Sequence, residues 1–139
     1  MNAARMLGYC SLLPAMLLLA AGCQRPATLH TVSGKVTYKG AILTNGVVLF
    51  TPDATRGESG PIAVGTIRED GTFALTTGEI PGASPGWYRV TVAASRGAAP
   101  DRFQSPMPLL PEKYRDPELS LLRCEIKANQ ANAIDLNLD

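Results

Sequence analysis

Short segments with apolar residues at every second position alternate with turn residues along positions 30–139, and this alternation most constrains the fold. Prolines at positions 100, 106, 108, 111 and 117 exclude a helix from the longest irregular stretch, 95–118. About seven short strands at this spacing, with no helical period, predict an all-β Greek-key sandwich. The strand-like segments are 32–38, 47–50, 62–67, 72–76, 87–92, 121–127 and 133–138.

The same alternation predicts which side chains form the core. Segment 87–92 combines an apolar set that we expect to face inward with a mixed set that we expect to face outward. The inward set is Tyr88, Val90 and Val92, and the outward set is Trp87, Arg89 and Thr91. In the last segment the expected inward residues are Ile134, Leu136 and Leu138. Between two strands, Asp70-Gly71 predicts a tight hairpin with positive φ at both positions.

The N-terminal segment has the pattern of a targeting signal. Arg5 is the single charged side chain before Arg25, and an apolar run follows it, densest over 12–21. That run is shorter than the roughly 20 residues that a membrane-spanning helix needs, and it fits the apolar region of a signal peptide.

The sequence LAAGC at positions 19–23 resembles a bacterial lipobox, although Ala20 stands where leucine is preferred. The resemblance implies cleavage between Gly22 and Cys23, diacylglycerol on the Cys23 thiol, and an acyl chain on the new amine. The alternative is ordinary secretion with a chance cysteine. The predicted organisation is a signal peptide over 1–22, a lipidated tether over 23–29 and one β-sandwich domain over 30–139.

An anchor at Cys23 makes the membrane the expected partner and places the domain in the cell envelope, facing the periplasm or the exterior. Gln24 stands where an aspartate would resemble an inner-membrane retention signal, which favours the outer membrane. With Cys10 removed and Cys23 lipidated, Cys124 has no partner for an intrachain disulfide. Its apolar and charged neighbours alternate, which predicts a buried structural thiol.

Charge and residue counts argue against several functions. With 13 Lys and Arg against 12 Asp and Glu, the chain lacks the basic surplus of a nucleic-acid-binding protein. His30 is the single histidine, so a zinc site or a Ser-His-Asp centre lacks its components. Loop carboxylates such as Asp53 and Asp70 lack calcium-loop spacing and fit turn-forming roles. We therefore predict a non-enzymatic protein with no metal and no cofactor beyond the lipid. The spacing of the carboxylates does not by itself exclude glycoside hydrolysis, because the two carboxylates of such a site can come from distant parts of the sequence.

Five motifs follow one another along the domain. They are VSGKVTYKG at 32–40, VVLFTP at 47–52, EDGTF at 69–73, PGWYRVTV at 85–92 and PEKYRDP at 111–117. Together they resemble carboxypeptidase regulatory-like domains of the transthyretin (prealbumin) type, and behind a lipobox they resemble small lipoproteins of planctomycete bacteria. The resemblance implies a β-sandwich with no activity of its own. Transthyretin-like hydrolases use active-site histidine and arginine together with a C-terminal signature. This sequence has a single histidine, before the first strand, and its C-terminal end lacks that signature.

The side chains with the greatest potential to contact a ligand or partner are Trp87, Arg89, Tyr114 and Arg115. An exposed Trp87 beside Arg89 is suited to stack on a sugar or to anchor a protein. Alternatively, the stretch 95–118 folds back and covers Trp87, which is the interpretation we favour. We expect a lipid-anchored, non-enzymatic interaction or structural module of the cell envelope with an envelope protein as partner. The alternative is a carbohydrate- or small-ligand-binding protein that uses Trp87 and adjacent loops.

Overall fold

The computed structural model describes residues 28–96 and 107–139, and the regular structure in these ranges is almost entirely β-strand. The strands are β1 (Val32–Tyr38), β2 (Ala41–Ile42), β3 (Val47–Pro52), β4 (Ala63–Thr66), β5 (Thr72–Thr77), β6 (Ile80–Pro81), β7 (Gly86–Ala93), β8 (Ser95–Arg96), β9 (Met107–Pro108), β10 (Arg123–Ile126), β11 (Asn132–Ala133) and β12 (Leu136–Leu138). Two single 3₁₀ turns, Ala54–Arg56 and Glu112–Tyr114, accompany them. The prediction of an all-β chain is therefore confirmed for the described residues.

Ten of these strands hydrogen-bond into one sheet, which curls around the core. Along the sheet the order is β10-β7-β3-β4-β5-β1-β11, while β2 and β12 also pair with β1, and β6 pairs with β5. Neighbouring strands run antiparallel except where β1 pairs in parallel with β11 and β12. Strands β8 and β9 pair only with each other. The structure has more strands than the expected seven because it includes two-residue strands such as β2 and β6. Two residues are too few to show an alternation of apolar and polar side chains in the sequence.

The core lies on the inner face of the curled sheet, where alternate residues of several strands meet. Phe50 of β3 is fully buried, and its ring centroid lies 6.2 Å from that of Phe73 and 6.1 Å from that of Tyr88. Burial of a side chain of this size contributes about 1.5–3 kcal/mol, so these aromatic rings are a principal source of stability. The predicted inward residues that the structure buries are Tyr88, Val90, Val92, Leu136 and Leu138.

The last predicted strand, 133–138, is broken in two where the chain passes very close to β1. Gly34 lies against the main chain of Ile134, and a Cβ at position 34 would overlap the Ile134 carbonyl oxygen. Next to this contact the Asp135 carboxylate accepts a hydrogen bond from the Lys35 amide (3.1 Å). The predicted single strand therefore becomes β11 and β12, with the break at the point of closest approach.

The hairpin predicted at Asp70-Gly71 forms, but the expectation of positive φ at both positions is wrong. Gly71 has a φ of 79°, whereas Asp70 is in the ordinary negative range. The Gly71 amide donates to the Arg68 carbonyl (2.9 Å), and the Arg68 amide donates to the Thr72 carbonyl (2.8 Å). The connection is therefore a longer turn closed by a glycine bulge, and it needs left-handed backbone only at the glycine.

The loops collect at two ends of the sheet. At the end where β1 begins, His30 and Ala83 exchange main-chain hydrogen bonds of 2.9 and 3.0 Å. The Asn129 amide donates to His30 Nδ1 (3.3 Å), so the single histidine is part of the fold and not of a free tether. We refer to this end as the tether end; it comprises His30 with segments 53–62, 78–86 and 127–131. The opposite end, which we refer to as the far end, contains segments 39–46 and 68–71.

Candidate functional site

The candidate residues Trp87 and Arg89 lie on the outer face of β7, as their alternation predicts. Arg89 is directly opposite Thr51 of β3 on one side and Arg123 of β10 on the other. Trp87 is opposite Glu125 of β10, and its carbonyl accepts from the Asp53 amide (2.9 Å) at the end of β3. Two arginines in directly opposed positions repel each other, so this pairing requires a negative charge nearby.

Asp53 supplies that charge. Its side chain is only about 2% exposed, and its carboxylate oxygens lie 3.1 Å from Arg89 Nε, 3.6 Å from Arg123 Nε and 3.8 Å from Arg56 Nε. A buried carboxylate among three guanidinium groups is an ion-pair network rather than a surface salt bridge. We refer to these four residues together with Glu118, the second acidic partner of Arg89, as the Asp53 cluster.

The local sequence fixes the position of the Asp53 carboxylate before any arginine reaches it. Asp53 caps the first 3₁₀ turn, because its Oδ1 accepts from the Thr55 amide (3.2 Å) and the Thr55 hydroxyl (2.6 Å). The Thr55 hydroxyl bond is the main cause that lowers the pKa of Asp53; burial opposes it and the Arg89 hydrogen bond adds to it. Asp53 is therefore ionised at neutral pH and is unsuited to act as a general acid.

Arg89 does not offer a free cation to a ligand, contrary to its prediction as part of a contact surface. Its side chain is 12% exposed, with Nε bonded to Asp53 and Nη1 to Glu118. The Asp53 hydrogen bond is the main cause that raises the pKa of Arg89. Its charge is neutralised within the domain by Asp53, which directly follows β3, and by Glu118, which lies in the turn before β10.

Trp87 is half-buried, and a residue of the first 3₁₀ turn covers one face of its ring. The Arg56 guanidinium lies 4.0 Å from the centroid of the indole ring, as a cation–π contact from the first 3₁₀ turn. Behind it, Glu58 Oε1 accepts from the Trp87 amide (3.3 Å). Segment 53–60, which the Asp53 cap holds in place, therefore covers one face of the ring. Of the predicted 95–118 cover, Tyr114 packs elsewhere, and residues 97–106 lie outside the described residues.

Tyr114, which was predicted as part of a contact surface, is largely buried, with 7% of its surface exposed. Its hydroxyl donates to the Asp139 carbonyl (3.1 Å) and accepts from the Asp139 amide (2.8 Å), in the manner of a neighbouring strand. This contact joins the second 3₁₀ turn to the end of β12. The adjacent Arg115 is exposed, so the four candidate residues do not form one continuous surface.

A groove of about 230 Å³ lies beside Tyr114, at the opening between segment 119–122 and β12. Its lining mixes leucine side chains with polar groups and contains no member of the Asp53 cluster. The lining residues are Lys113, Tyr114, Leu119, Ser120, Leu121, Leu122, Asn137 and Asp139. The groove and the Asp53 cluster are therefore separate features of the surface.

Sequence reasoning missed the partners that complete the cluster. Arg123 also donates through Nη1 to the Ser120 carbonyl (2.6 Å), and the buried Ser120 hydroxyl donates to the Val90 carbonyl. The sequence holds one usable signal, which is the Asp-x-Thr spacing that ends β3 and marks Asp53 as a cap. Nothing in the sequence indicates that Arg123 pairs with Arg89, because that depends on the strand register.

Cys124 matches the expectation of a structural thiol in part. Its side chain is half-buried against the core, and burial raises the pKa of the thiol to about 12. At neutral pH it is therefore protonated and a poor nucleophile. The predicted cleavage and lipidation site, Gly22 and Cys23, lies outside the described residues.

In comparisons with known proteins, no protein-family model, curated protein or solved structure matches the chain. Within residues 28–96 and 107–139, no group of three His, Cys, Asp or Glu side chains is arranged to hold a metal ion. The same part of the chain has no helix with the length and apolar character to cross a membrane.

Proposed function

We propose that this chain is a lipid-anchored, non-enzymatic interaction or structural module of the cell envelope, built on a Greek-key β-sandwich of the carboxypeptidase regulatory-like type. The observation that carries the proposal is the Asp53 cluster. It directs its carboxylates and guanidinium groups at one another, with Asp53 ionised at its centre. Such a network holds a loop in one conformation and presents a fixed surface, which is what a binding module requires.

The N-terminal pattern supports the anchored part of the proposal. A signal peptide over 1–22 followed by Cys23 leaves seven residues before the first main-chain pairing of the domain, at His30. The tether is therefore short, and the domain acts close to the membrane that holds it. The absence of an aspartate after Cys23 favours the outer membrane.

The anchor is tested by metabolic labelling with a fatty acid. We expect label in the parent protein and none in Cys23→Ser, which accumulates as unprocessed precursor. Cys124→Ser is the matched control, since it removes a cysteine that the anchor does not use and should keep the label. Continued labelling of Cys23→Ser refutes the anchor.

The interaction role is tested by chemical cross-linking in intact cells, followed by purification of the anchored protein. We expect a discrete envelope partner whose cross-link is lost when Arg56→Ala and Arg89→Gln loosen segment 53–60. Arg115→Ala, which changes an exposed arginine away from the Asp53 cluster, is the control and should keep the cross-link. A protein that is recovered only as a monomer argues against the interaction role.

A carbohydrate or small-ligand role for Trp87 remains the second candidate, supported by the position of an indole on the outer face of the sheet. It requires Arg56 to move, because the guanidinium already occupies a face of the ring. Saturable glycan binding that is lost in Trp87→Ala and strengthened in Arg56→Ala supports this role. A glycan array without binding to either the parent or Arg56→Ala rejects it.

A further inference from the structure

The tether end of the domain carries exposed apolar side chains in two segments on either side of β5, the residues just before β4 and strand β6. Ala63 of β4 pairs with Thr77 of β5, and Thr77 pairs with Ile80 of β6. Ile80 is 63% exposed, and Ile62, which directly precedes β4 on the other side of β5, is 46% exposed. Three exposed prolines, Pro61, Pro81 and Pro85, lie near them in the sequence. We refer to these two isoleucines and three prolines as the apolar rim.

The tether limits how far this rim can lie from the lipid. An extended residue spans at most about 3.6 Å, so the chain from Cys23 to His30, seven Cα–Cα steps long, reaches roughly 25 Å. A domain of this size has a radius of gyration of about 13 Å and is therefore roughly 30 Å across. The chain enters the fold beside Ala83, between β6 and the turn at Asn129, so the tether leads directly from the rim.

Charge at the tether end does not favour one lipid headgroup over another. Glu79 precedes Ile80, while Lys127 lies in the turn on the other side of His30, and both are exposed. Arg56 and Glu58 also both contact Trp87, the arginine at the indole ring and the glutamate at the main-chain amide. With the charges balanced, the apolar rim is the feature that distinguishes contact with lipid from contact with water.

We propose that the tether end rests on the surface of the bilayer, with Ile80 and the adjoining prolines in the headgroup region. This inference rests on the proposed lipid anchor and adds an orientation to it. In this orientation β7 begins near the membrane, so Trp87 is closer to the bilayer than Arg89 or Thr91. The far end of the domain points away from the bilayer. The lipid bilayer is the occupant because the short tether keeps it within reach, whereas a second copy of the chain has no such constraint.

The test compares two isoleucines at opposite ends of the domain. Ile80→Cys and Ile42→Cys are labelled with the fluorophore NBD, since Ile42 lies in β2 at the far end and is 47% exposed. Burial raises the pKa of Cys124 to about 12, so that thiol should not react, and the labelled parent protein checks this. The lipidated full-length proteins are reconstituted into phosphatidylcholine vesicles and exposed to dithionite, which reduces NBD from the aqueous side.

We expect NBD at position 80 to emit at shorter wavelength and to be reduced several-fold more slowly than NBD at position 42. Equal reduction rates in protein that floats with the vesicles overturn the orientation while the anchor stands. Protein that does not float with the vesicles refutes the anchor, and the orientation with it. Protection at position 80 that disappears when the protein is diluted to about one copy per vesicle assigns the rim to contact between copies and overturns the proposal.

Lipid charge provides the second measurement. Addition of phosphatidylglycerol to the vesicles should leave the protection at position 80 unchanged, because the exposed charges of the tether end balance. Protection that arises only with phosphatidylglycerol overturns the apolar contact in favour of electrostatic attraction.

Discussion

Two aspartates in this domain have the same local structure and opposite surroundings. Asp53 and Asp70 each accept hydrogen bonds through Oδ1 from the amide and the hydroxyl of the threonine two residues later, with a hydroxyl distance of 2.6 Å in both cases. That hydroxyl is the main cause that lowers the pKa of each. Asp70 is exposed at the far end, whereas Asp53 is buried among three arginines. An identical local motif is therefore a turn in one place and the centre of a network in the other.

The largest expected effect comes from neutralising the buried aspartate. Asp53→Asn keeps the shape of the cap but leaves Arg89 opposite Arg123 without a shared counter-charge, so the urea midpoint should fall markedly. Asp70→Asn is the matched control, with a much smaller fall. Equal shifts in the two variants would show that the arginines add nothing to the local turn.

The next effect concerns the residue that positions Arg123. Ser120→Ala removes the buried hydroxyl that donates to the Val90 carbonyl, and an unsatisfied buried carbonyl costs about 1–3 kcal/mol of unfolding free energy. Ser59→Ala, in an exposed loop position, should change it by less than about 0.5 kcal/mol. Indistinguishable unfolding curves for the two variants would contradict the role of Ser120.

A smaller effect on stability, with a clear optical signature, is expected at Arg56. Arg56→Ala removes a partly exposed cation–π contact worth about 0.5–1 kcal/mol and uncovers a face of Trp87. Iodide should then quench the fluorescence of the single tryptophan more strongly than in the parent protein. Arg115→Ala should leave quenching unchanged, and an unchanged value in Arg56→Ala would mean that segment 53–60 does not cover the ring.

The smallest effect is a matter of pH. Both aspartates have a folded-state pKa below the ordinary value of 3.8, so their ionised forms stabilise the folded chain above about pH 4. This contribution is lost as pH falls below 4 and the folded carboxylates take up protons. The difference in unfolding free energy between the parent and Asp70→Asn should therefore be constant near neutral pH and should disappear in acid. The difference for Asp53→Asn should be larger and should disappear over the same pH range. Urea titrations at a series of pH values measure both differences, and a difference that widens in acid would contradict the lowered pKa values.

The parts of the fold that sequence predicted are those that depend on neighbouring residues. Strand β1 begins and ends where the alternation of 32–38 places it, and Tyr88, Val90 and Val92 face inward as predicted. The turn role of Asp70 also follows from adjacent residues. The expected positive φ of Asp70 was wrong, because the same sequence forms a turn with a glycine bulge in which only Gly71 has positive φ.

The parts that sequence could not predict depend on register between distant strands. Arg89 was expected to face outward, and it does, but its neutralisation depends on Asp53 and Glu118, which come from two segments distant in the sequence. The break at Ile134 likewise requires knowledge that Gly34 lies against it. Tyr114 gave no periodic signal because a single 3₁₀ turn is too short to show a period, and burial there depends on the tertiary contact with Asp139.

The position of β1 has a mechanical consequence. A chain anchored through Cys23 receives any pull from the membrane at the start of this strand. Strand β1 pairs with β5 on one edge and with β11 and β12 on the other, and all of these pairings lie along its length. Force along the tether therefore acts in shear on many hydrogen bonds at once instead of opening them one after another. The strand nearest to the proposed anchor is also the one that the sheet holds from both sides.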